Sequence, residues 1–281
     1  LVFGGYEEFR LVSAMESIRA VFYTGSKEHC DLLHTELKED RSRQLVLQSG
    51  GKNTVLVHST ADIEQAVAEI CYGAFKSAGQ LCSATSRVFV YRSLLGQFKE
   101  AMLARISSMT VGRTDLFEED QDPQMGPLYS RKAVEKFLRF QTMANREAES
   151  VWHYGAELAL SQEGGFFVSP AVRYLSKVDK KSPYQRNILF SPDLAIYSYD
   201  ILNHVIEDIN QVEPSFSLAF FGDQSILEDR AHLFKSPNLL ANKATVERDF
   251  CLPLACSALG GGLYYSGLGM ARYLIYPQAL L

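Results

Sequence analysis

The stretch Ser77-Ala78-Gly79-Gln80-Leu81-Cys82-Ser83-Ala84 places one cysteine among small residues just past an amphipathic run. Cysteine attacks carbonyls as its thiolate, and a free thiol is already a few per cent ionised near neutral pH, so modest local help makes it a nucleophile. The competing reading is a buried small hydrophobe, the commoner role of a free cysteine. The element that delivers Cys82 is well marked. Ile63, Ala66, Val67, Ile70 and Ala74 recur at helical spacing, with Ser59 and Asp62 as a capping pair, which predicts a helix with a defined buried face ending near Ser77. Gly79 then frees the backbone to turn and aim Cys82, and Arg87 to Tyr91 reads as the following strand.

Upstream, Leu1 to Phe3 and Ala20 to Tyr23 read as strands and Glu7 to Ile18 as a helix. Tyr23-Thr24-Gly25-Ser26 is a small-residue turn into a helix that runs to about Leu37. Such a turn presents backbone N–H groups at a helix start, which suits a phosphate or a nicotinamide edge, although it is also an ordinary connection. Glu39 to Arg43 is a charged loop, and Gln44 to Leu47 and Thr54 to His58 are strands around Gly50-Gly51. Downstream, Leu94 to Met109 and Ser130 to Glu147 read as helices, and Gly164 to Val168 as a turn and strand. Leu194 to Tyr199, Ser217 to Phe221 and Leu239 to Ala241 are strands separated by helices at Ile201 to Gln211 and Gln224 to Phe234. This alternation is that of an α/β protein with a largely parallel sheet.

Five motifs follow one another in a familiar order: Tyr23-Thr24-Gly25-Ser26, Gln48-Ser49-Gly50-Gly51-Lys52-Asn53, Gly79-Gln80-Leu81-Cys82, Phe190-Ser191-Pro192, and Gly261-Gly262 with Ser266-Gly267. The chain resembles the aldehyde dehydrogenase superfamily, and from Gln48 to Arg87 and around Asn242-Lys243 it looks most like succinylglutamate-semialdehyde dehydrogenases. The resemblance implies a partial Rossmann-type nucleotide-binding domain over residues 1–50, an α/β catalytic domain bearing the thiol over 51–257, and a C-terminal segment with an oligomerisation strand over 258–281. It implies Cys82 as the catalytic thiol, Gly25, Ser26 and Phe190 as cofactor-binding residues, and NAD or NADP as the cofactor. A small aldehyde is the substrate class. Tyr273, Leu274, Ile275 and Tyr276 favour an extended strand with unpaired edges, so homo- or hetero-oligomer formation through that tail is expected.

Three departures from the family pattern point towards a degenerate member, a pseudoenzyme with a structural or assembly role. The resemblance puts the general base, a glutamate, at Gln48; an amide cannot take the proton, and general-base help is worth roughly 10² to 10⁴ in rate. Two residues before Phe190 the family holds the nicotinamide ribose with a glutamate, where this chain has Ile188, or Asn187 if the register slips by one. Isoleucine accepts no hydrogen bond, so binding of NAD or NADP is expected to be weakened or lost. The resemblance also begins in the middle of the nucleotide-binding domain, so the asparagine of the oxyanion hole, worth on the order of 10² to 10³ in rate, has no counterpart here. The alternative is an active NAD(P)-dependent enzyme working through a Cys82 thiohemiacetal and thioester, with coenzyme A as acyl acceptor because Gln48 replaces the base.

Composition fits a globular chain: 281 residues, 47% hydrophobic and 22% charged, with net charge −5. That charge gives no electrostatic footprint for nucleic acid, and no apolar run is long enough to span a bilayer. An odd count of 5 cysteines predicts reduced thiols, hence the cytoplasm or another reducing compartment such as the mitochondrial matrix. No metal site is expected: Cys251 and Cys256 lack further ligands, His29 and His34 are five apart on one helix, and the acidic run from Asp115 to Pro123 lacks calcium-loop spacing. Lys177, Lys180 and Lys181 read as a solvated face. Leu1 opens the chain in place of methionine and without a charged leader, so the reading frame is expected to extend upstream.

Overall fold

A computed structural model describes residues 4–40, 43–113, 124–159, 164–211, 215–247, 254–256 and 264–266. They form two compact units, one made of the described parts of 1–50 and 248–281, the other of 51–247.

In the first unit, α1 (Tyr6–Ser13) precedes β1 (Ala20–Thr24), α2 (Lys27–Leu37) and β2 (Gln44–Gln48). The two strands pair in parallel from Ala20↔Gln44 to Thr24↔Gln48, with α2 as the crossover. Val21, Cys30, Leu33, Leu37 and Leu47 make its core. The first helix stops at Ser13, five residues before the expected Ile18, and side chains take the carbonyls at its end. Ser13 Oγ donates to the Arg10 carbonyl at 2.8 Å, and the Arg43 guanidinium donates to the carbonyls of Ser13 and Met15. Two short strands, β10 (Leu254–Cys256) and β11 (Tyr264–Ser266), pair antiparallel.

The second unit is a seven-stranded sheet built from β3 (Asn53–Val57), β4 (Thr85–Tyr91), β5 (Ser150–His153), β6 (Ala171–Tyr174), β7 (Asp193–Tyr199), β8 (Ser217–Phe221) and β9 (Asn238–Ala241), in the order β5-β6-β7-β4-β3-β8-β9. Every pairing is parallel except β5 with β6 at one edge. Val55, Val57, Val88, Val90, Ile196 and Phe221 point to one face, packed by α3 (Ile63–Phe75) and α4 (Leu95–Ser107). Leu56, Phe89, Tyr197, Leu218 and Phe220 point to the other, packed by α7 (Leu202–Gln211) and α8 (Gln224–Arg230). Burial on both faces makes these strands continuous apolar runs rather than alternating ones. The long helix α5 (Arg131–Glu147) gives Val134 and Phe137 to the first core and Phe140 and Ala144 to the second.

Three further expectations are corrected, and three elements went unexpected. Asp62 alone caps α3, its Oδ1 accepting from Gln65 N at 3.1 Å, while Ser59 Oγ meets His58 Nδ1. The segment Gly164 to Val168 is no strand: Gly164 and Gly165 sit at φ +98° and +140°, and only Val168 makes an isolated bridge, to Glu157. The helix expected to reach Phe234 ends at Arg230 and passes into a 3₁₀ turn over Ala231–Leu233. Strands β5 and β6 and the short helix α6 (Pro183–Arg186) carry polar or charged residues where an apolar pattern would mark them, Arg173 above all. Leu1 to Phe3, the acidic run 115–123, Cys251 and the tail 271–281 lie outside the described residues. Among the described residues no helix is long and apolar enough to cross a membrane.

Candidate active site

The chain leaves α3 through a 3₁₀ turn, Lys76–Gly79, in which Ser77, Ala78 and Gly79 take φ of +53°, +52° and +69°. Two of these carry side chains in the left-handed region, a conformation that costs roughly 1–2 kcal/mol per residue and persists only where the surroundings hold it. The surroundings do hold it. Gln80 Nε2 donates to the carbonyls of Ser77 and Pro127, at 2.9 and 3.2 Å, and its Oε1 accepts from Tyr129 N at 2.9 Å. One amide thus ties the turn to itself and to the loop entering α5. Beyond it, Asn53 Nδ2 donates to the carbonyls of Cys82 and Ala84, both at 2.9 Å, and Asn53 Oδ1 accepts from Ser217 N at 2.9 Å. Cys82 is therefore pinned through its own backbone to the ends of β3 and β8.

Among the described residues the thiols differ sharply. Cys30 and Cys71 are buried and Cys82 is partly exposed; none of the three is in a disulfide. Burial pushes the Cys71 thiol up to about 12, which keeps it inert. Cys82 is the most exposed of the three.

Phe190 lies against this turn. A Cβ placed on Gly79 would fall 2.3 Å from the Ser191 carbonyl oxygen, so the Phe190-Ser191-Pro192 strap rests directly on glycine backbone. Phe190 itself holds φ +52°. It lines two cavities. One is a cleft of about 620 Å³ shared by Gln80, Tyr129, Lys132, Lys136, Arg139 and Leu189, a size suited to a small ligand. The other, about 20 Å³, lies behind the turn among Lys52, Gly79, Leu81, Ile188 and Ser191. Two ammonium groups grip the segment before Phe190: Lys52 Nζ donates to the Asn187 carbonyl at 3.0 Å and Lys136 Nζ to the Ile188 carbonyl at 3.2 Å. Burial pushes Lys52 down to about 8, although Asp193 opposes the shift.

In the first unit Gly25, Ser26 and Gln48 come together at one end of the β1–β2 pair. Gly25 N donates to the Gln48 carbonyl at 3.0 Å, and Ser26 Oγ caps α2 by accepting from His29 N at 3.3 Å. The Tyr23 ring lies over Gly25, its Oη 2.4 Å from where a Cβ would stand, and bonds His29 Nδ1 at 3.1 Å; Tyr6 stacks on His29 with ring centroids 3.9 Å apart.

The expected site residues thus form two clusters, Cys82 with Phe190 and Gly25 with Ser26 and Gln48. Sequence reading did not single out Lys52, Asn53 or Gln80 as site residues, although all three stand inside the motifs quoted for it. Their signal is a polar residue immediately before a strand or turn, which becomes specific only when its partners are known. Lys177, Lys180 and Lys181 are exposed. Among the described residues no group of three or more His, Cys, Asp or Glu side chains is placed to hold a metal ion.

A sequence profile described as the aldehyde dehydrogenase family matches residues 1–270. The chain is 30% identical over 207 residues to an alpha-ketoglutaric semialdehyde dehydrogenase of Bacillus subtilis, covering 73% of this chain and 41% of that protein. It is 26% identical to an N-succinylglutamate 5-semialdehyde dehydrogenase of Hahella chejuensis over 100% of this chain and 56% of that one. The crystal structure of betaine aldehyde dehydrogenase from Staphylococcus aureus in complex with NAD+ superposes with a TM-score of 0.79 at 22% identity, over 90% of this chain and 49% of that one. The chain spans about half the length of the curated relatives it matches.

Proposed function

The chain belongs to the aldehyde dehydrogenase family, and from that premise we propose that it is a member with impaired NAD(P)-dependent oxidation, whose folded thiol-bearing unit serves a structural or assembly role. The observation that carries this reading is Ile188. It stands in the cavity wall beside Phe190, where the family resemblance calls for a carboxylate that accepts from ribose hydroxyls. The side chain has no acceptor, and the Ile188 carbonyl is already held by Lys136. Taken by itself, the small-residue turn of the first unit fits a phosphate no better: the Gly25 N–H is spent on the Gln48 carbonyl, and Tyr23 covers the glycine that a phosphate would approach.

One observation favours a second reading, retained thiol chemistry. The three left-handed residues that present Cys82 are held in place by Gln80 and Asn53, and such strain concentrates at working sites. In that reading the Cys82 sulfur adds to an aldehyde carbon, its proton passes to the carbonyl oxygen, and a thiohemiacetal results. That adduct needs no oxidant and reverts by releasing the aldehyde; going on to an acyl thioester, and from it to a thiol such as coenzyme A rather than to water because Gln48 replaces the base, would require a hydride acceptor such as NAD(P).

Titration of the purified chain with NADH, followed by nicotinamide fluorescence, separates the two. No change at millimolar cofactor is expected, and saturable binding would overturn the first reading. Restoring the acceptor with Ile188→Glu is expected to bring measurable binding, a gain of about tenfold or more for a hydrogen bond to a charged group. Reversible protection of Cys82 from iodoacetamide by a small aldehyde, absent in Cys82→Ser, would support the second.

A further inference from the structure

The cavity of about 20 Å³ behind the Cys82 turn is too small for any organic ligand and just large enough for one water, which needs roughly 10–15 Å³. Most polar groups in its wall are already paired. Thr85 Oγ1 bonds Thr245 Oγ1 at 2.7 Å, Ser86 Oγ donates to the Asn53 carbonyl at 3.2 Å, and the Asp193 carboxylate accepts from Arg173, Tyr184 and Gln141. Two side chains stand out among the rest. Ser191 Oγ is buried, with the residue 8% exposed, and meets no hydrogen-bond partner among the described residues. Lys52, 2% exposed, has three ammonium donors and sends one to Asn187.

Buried polar atoms are almost always satisfied by protein or ordered water, and a stable buried water needs at least two polar partners. We infer that this cavity is a single-water site formed by Ser191 Oγ and Lys52 Nζ, and that the bound water seats the Phe190-Ser191-Pro192 strap on Gly79. Lys52 and Ser191 are positioning residues in this scheme: Lys52 holds the strap's approach through the Asn187 carbonyl and its exit through the water. The turn that presents Cys82 rests on that strap, so the water's loss reaches the thiol through Gly79. The inference concerns the geometry of this chain and stands whether or not aldehyde oxidation is retained.

Two measurements test it on the whole chain. A crystal structure at about 1.8 Å or better is expected to show a density peak within hydrogen-bond distance, about 2.6–3.2 Å, of both Ser191 Oγ and Lys52 Nζ. A cavity without that peak, or a Ser191 hydroxyl turned onto a protein group, overturns the inference. Alkylation of Cys82 by iodoacetamide, read by peptide mass, is then compared in wild type, Ser191→Ala, Lys52→Met and the double variant. Each single change is expected to alter the rate by about threefold or more, and the double variant to go no further than the larger single effect, because both act through one water. Independent, multiplying effects would show that no shared water links them. Should Lys52→Met fail to fold, the Ser191→Ala crystal structure decides alone: loss of the peak with an unmoved Lys52 supports the site, and an unchanged peak rejects Ser191 as its ligand.

Discussion

Burial holds the Lys52 ammonium at about 8 against its ordinary 10.5, with Asp193 opposing and Arg87 and Arg173 reinforcing the shift. Below about pH 8 the folded and unfolded chains both carry this proton, and above 10.5 neither does. Between those values only the unfolded chain binds it, so stability contributed by this group rises with pH, by at most about 1.4 kcal/mol per pH unit. Cys71 works against it in the same range, because burial keeps its thiol protonated in the fold up to about 12 while the unfolded thiol ionises near its ordinary 9; near pH 10 Tyr197 and Tyr199 add to that opposition as their unfolded counterparts ionise. The urea midpoint of wild type relative to Lys52→Met, in which the Cys71 contribution cancels, should therefore climb from pH 8 through 9 to 9.8; a level difference would mean the amine is not desolvated. Asp193 behaves oppositely. Burial pushes its carboxyl up, but Arg173, Lys52 and the hydrogen bond from Gln141 outweigh that and hold it below the usual range. Its stabilisation is therefore present above the ordinary carboxylate pKa and lost as pH falls through the lowered folded value. Asp193→Asn leaves Arg173 buried without its charge partner and should cost about 3–5 kcal/mol, read as a loss of denaturation midpoint at pH 7. None of this chemistry shows in the sequence, since Lys52 and the carbonyl it holds are 135 residues apart. Cys82 shows because its small neighbours and the helix that delivers it are local.

At the scale of the element, α3 was legible from its apolar period, yet its start was misplaced by a plausible motif. Ser59 and Asp62 both look like caps in sequence, and only backbone geometry separates them: Asp62 sits extended at ψ 114° with its carboxylate on Gln65 N, whereas Ser59 turns to His58. Asp62→Ala should therefore lower stability by about 1 kcal/mol, while Ser59→Ala should change it by less than about 0.5 kcal/mol. Equal costs in denaturant melts would restore the paired cap. The turn at the other end of α3 allows a sharper prediction. Gly79→Ala places a methyl group against the Ser191 carbonyl and forces a side chain to φ +69°, so it should cost about 2 kcal/mol or more and change Cys82 alkylation with it. A silent substitution would mean that the strap does not rest on the turn. Strands β5 and β6 escaped sequence reading because polar residues interrupt their apolar pattern: β6 buries Arg173, whose two terminal nitrogens find Asp193, Tyr184 and Gln141 from elsewhere in the chain.

For the whole molecule, the alternation of strands and helices announced an α/β fold, but the order β5-β6-β7-β4-β3-β8-β9 is set by pairings between distant segments, which periodicity does not encode. The unit spanning residues 51–247 has apolar cores on both faces of that sheet, whereas the described part of 1–50 buries five apolar residues in its cluster. A chain of about 50 residues with so small a core is marginal by itself, while one several times longer with two cores is not. Expressed alone, residues 51–247 should unfold in a single cooperative denaturant transition and the peptide 1–50 should show none. The buried charges sharpen the test. The groups that shift Lys52, namely Asp193, Arg87, Arg173 and Glu147, and the carbonyl it holds all belong to residues 51–247. The rise of wild type relative to Lys52→Met between pH 8 and 9.8 should therefore survive in that fragment with its slope unchanged. A cooperative fragment that has lost the slope would show that the interior around Lys52 is not closed by residues 51–247 alone, because an ammonium that regains water regains its ordinary pKa.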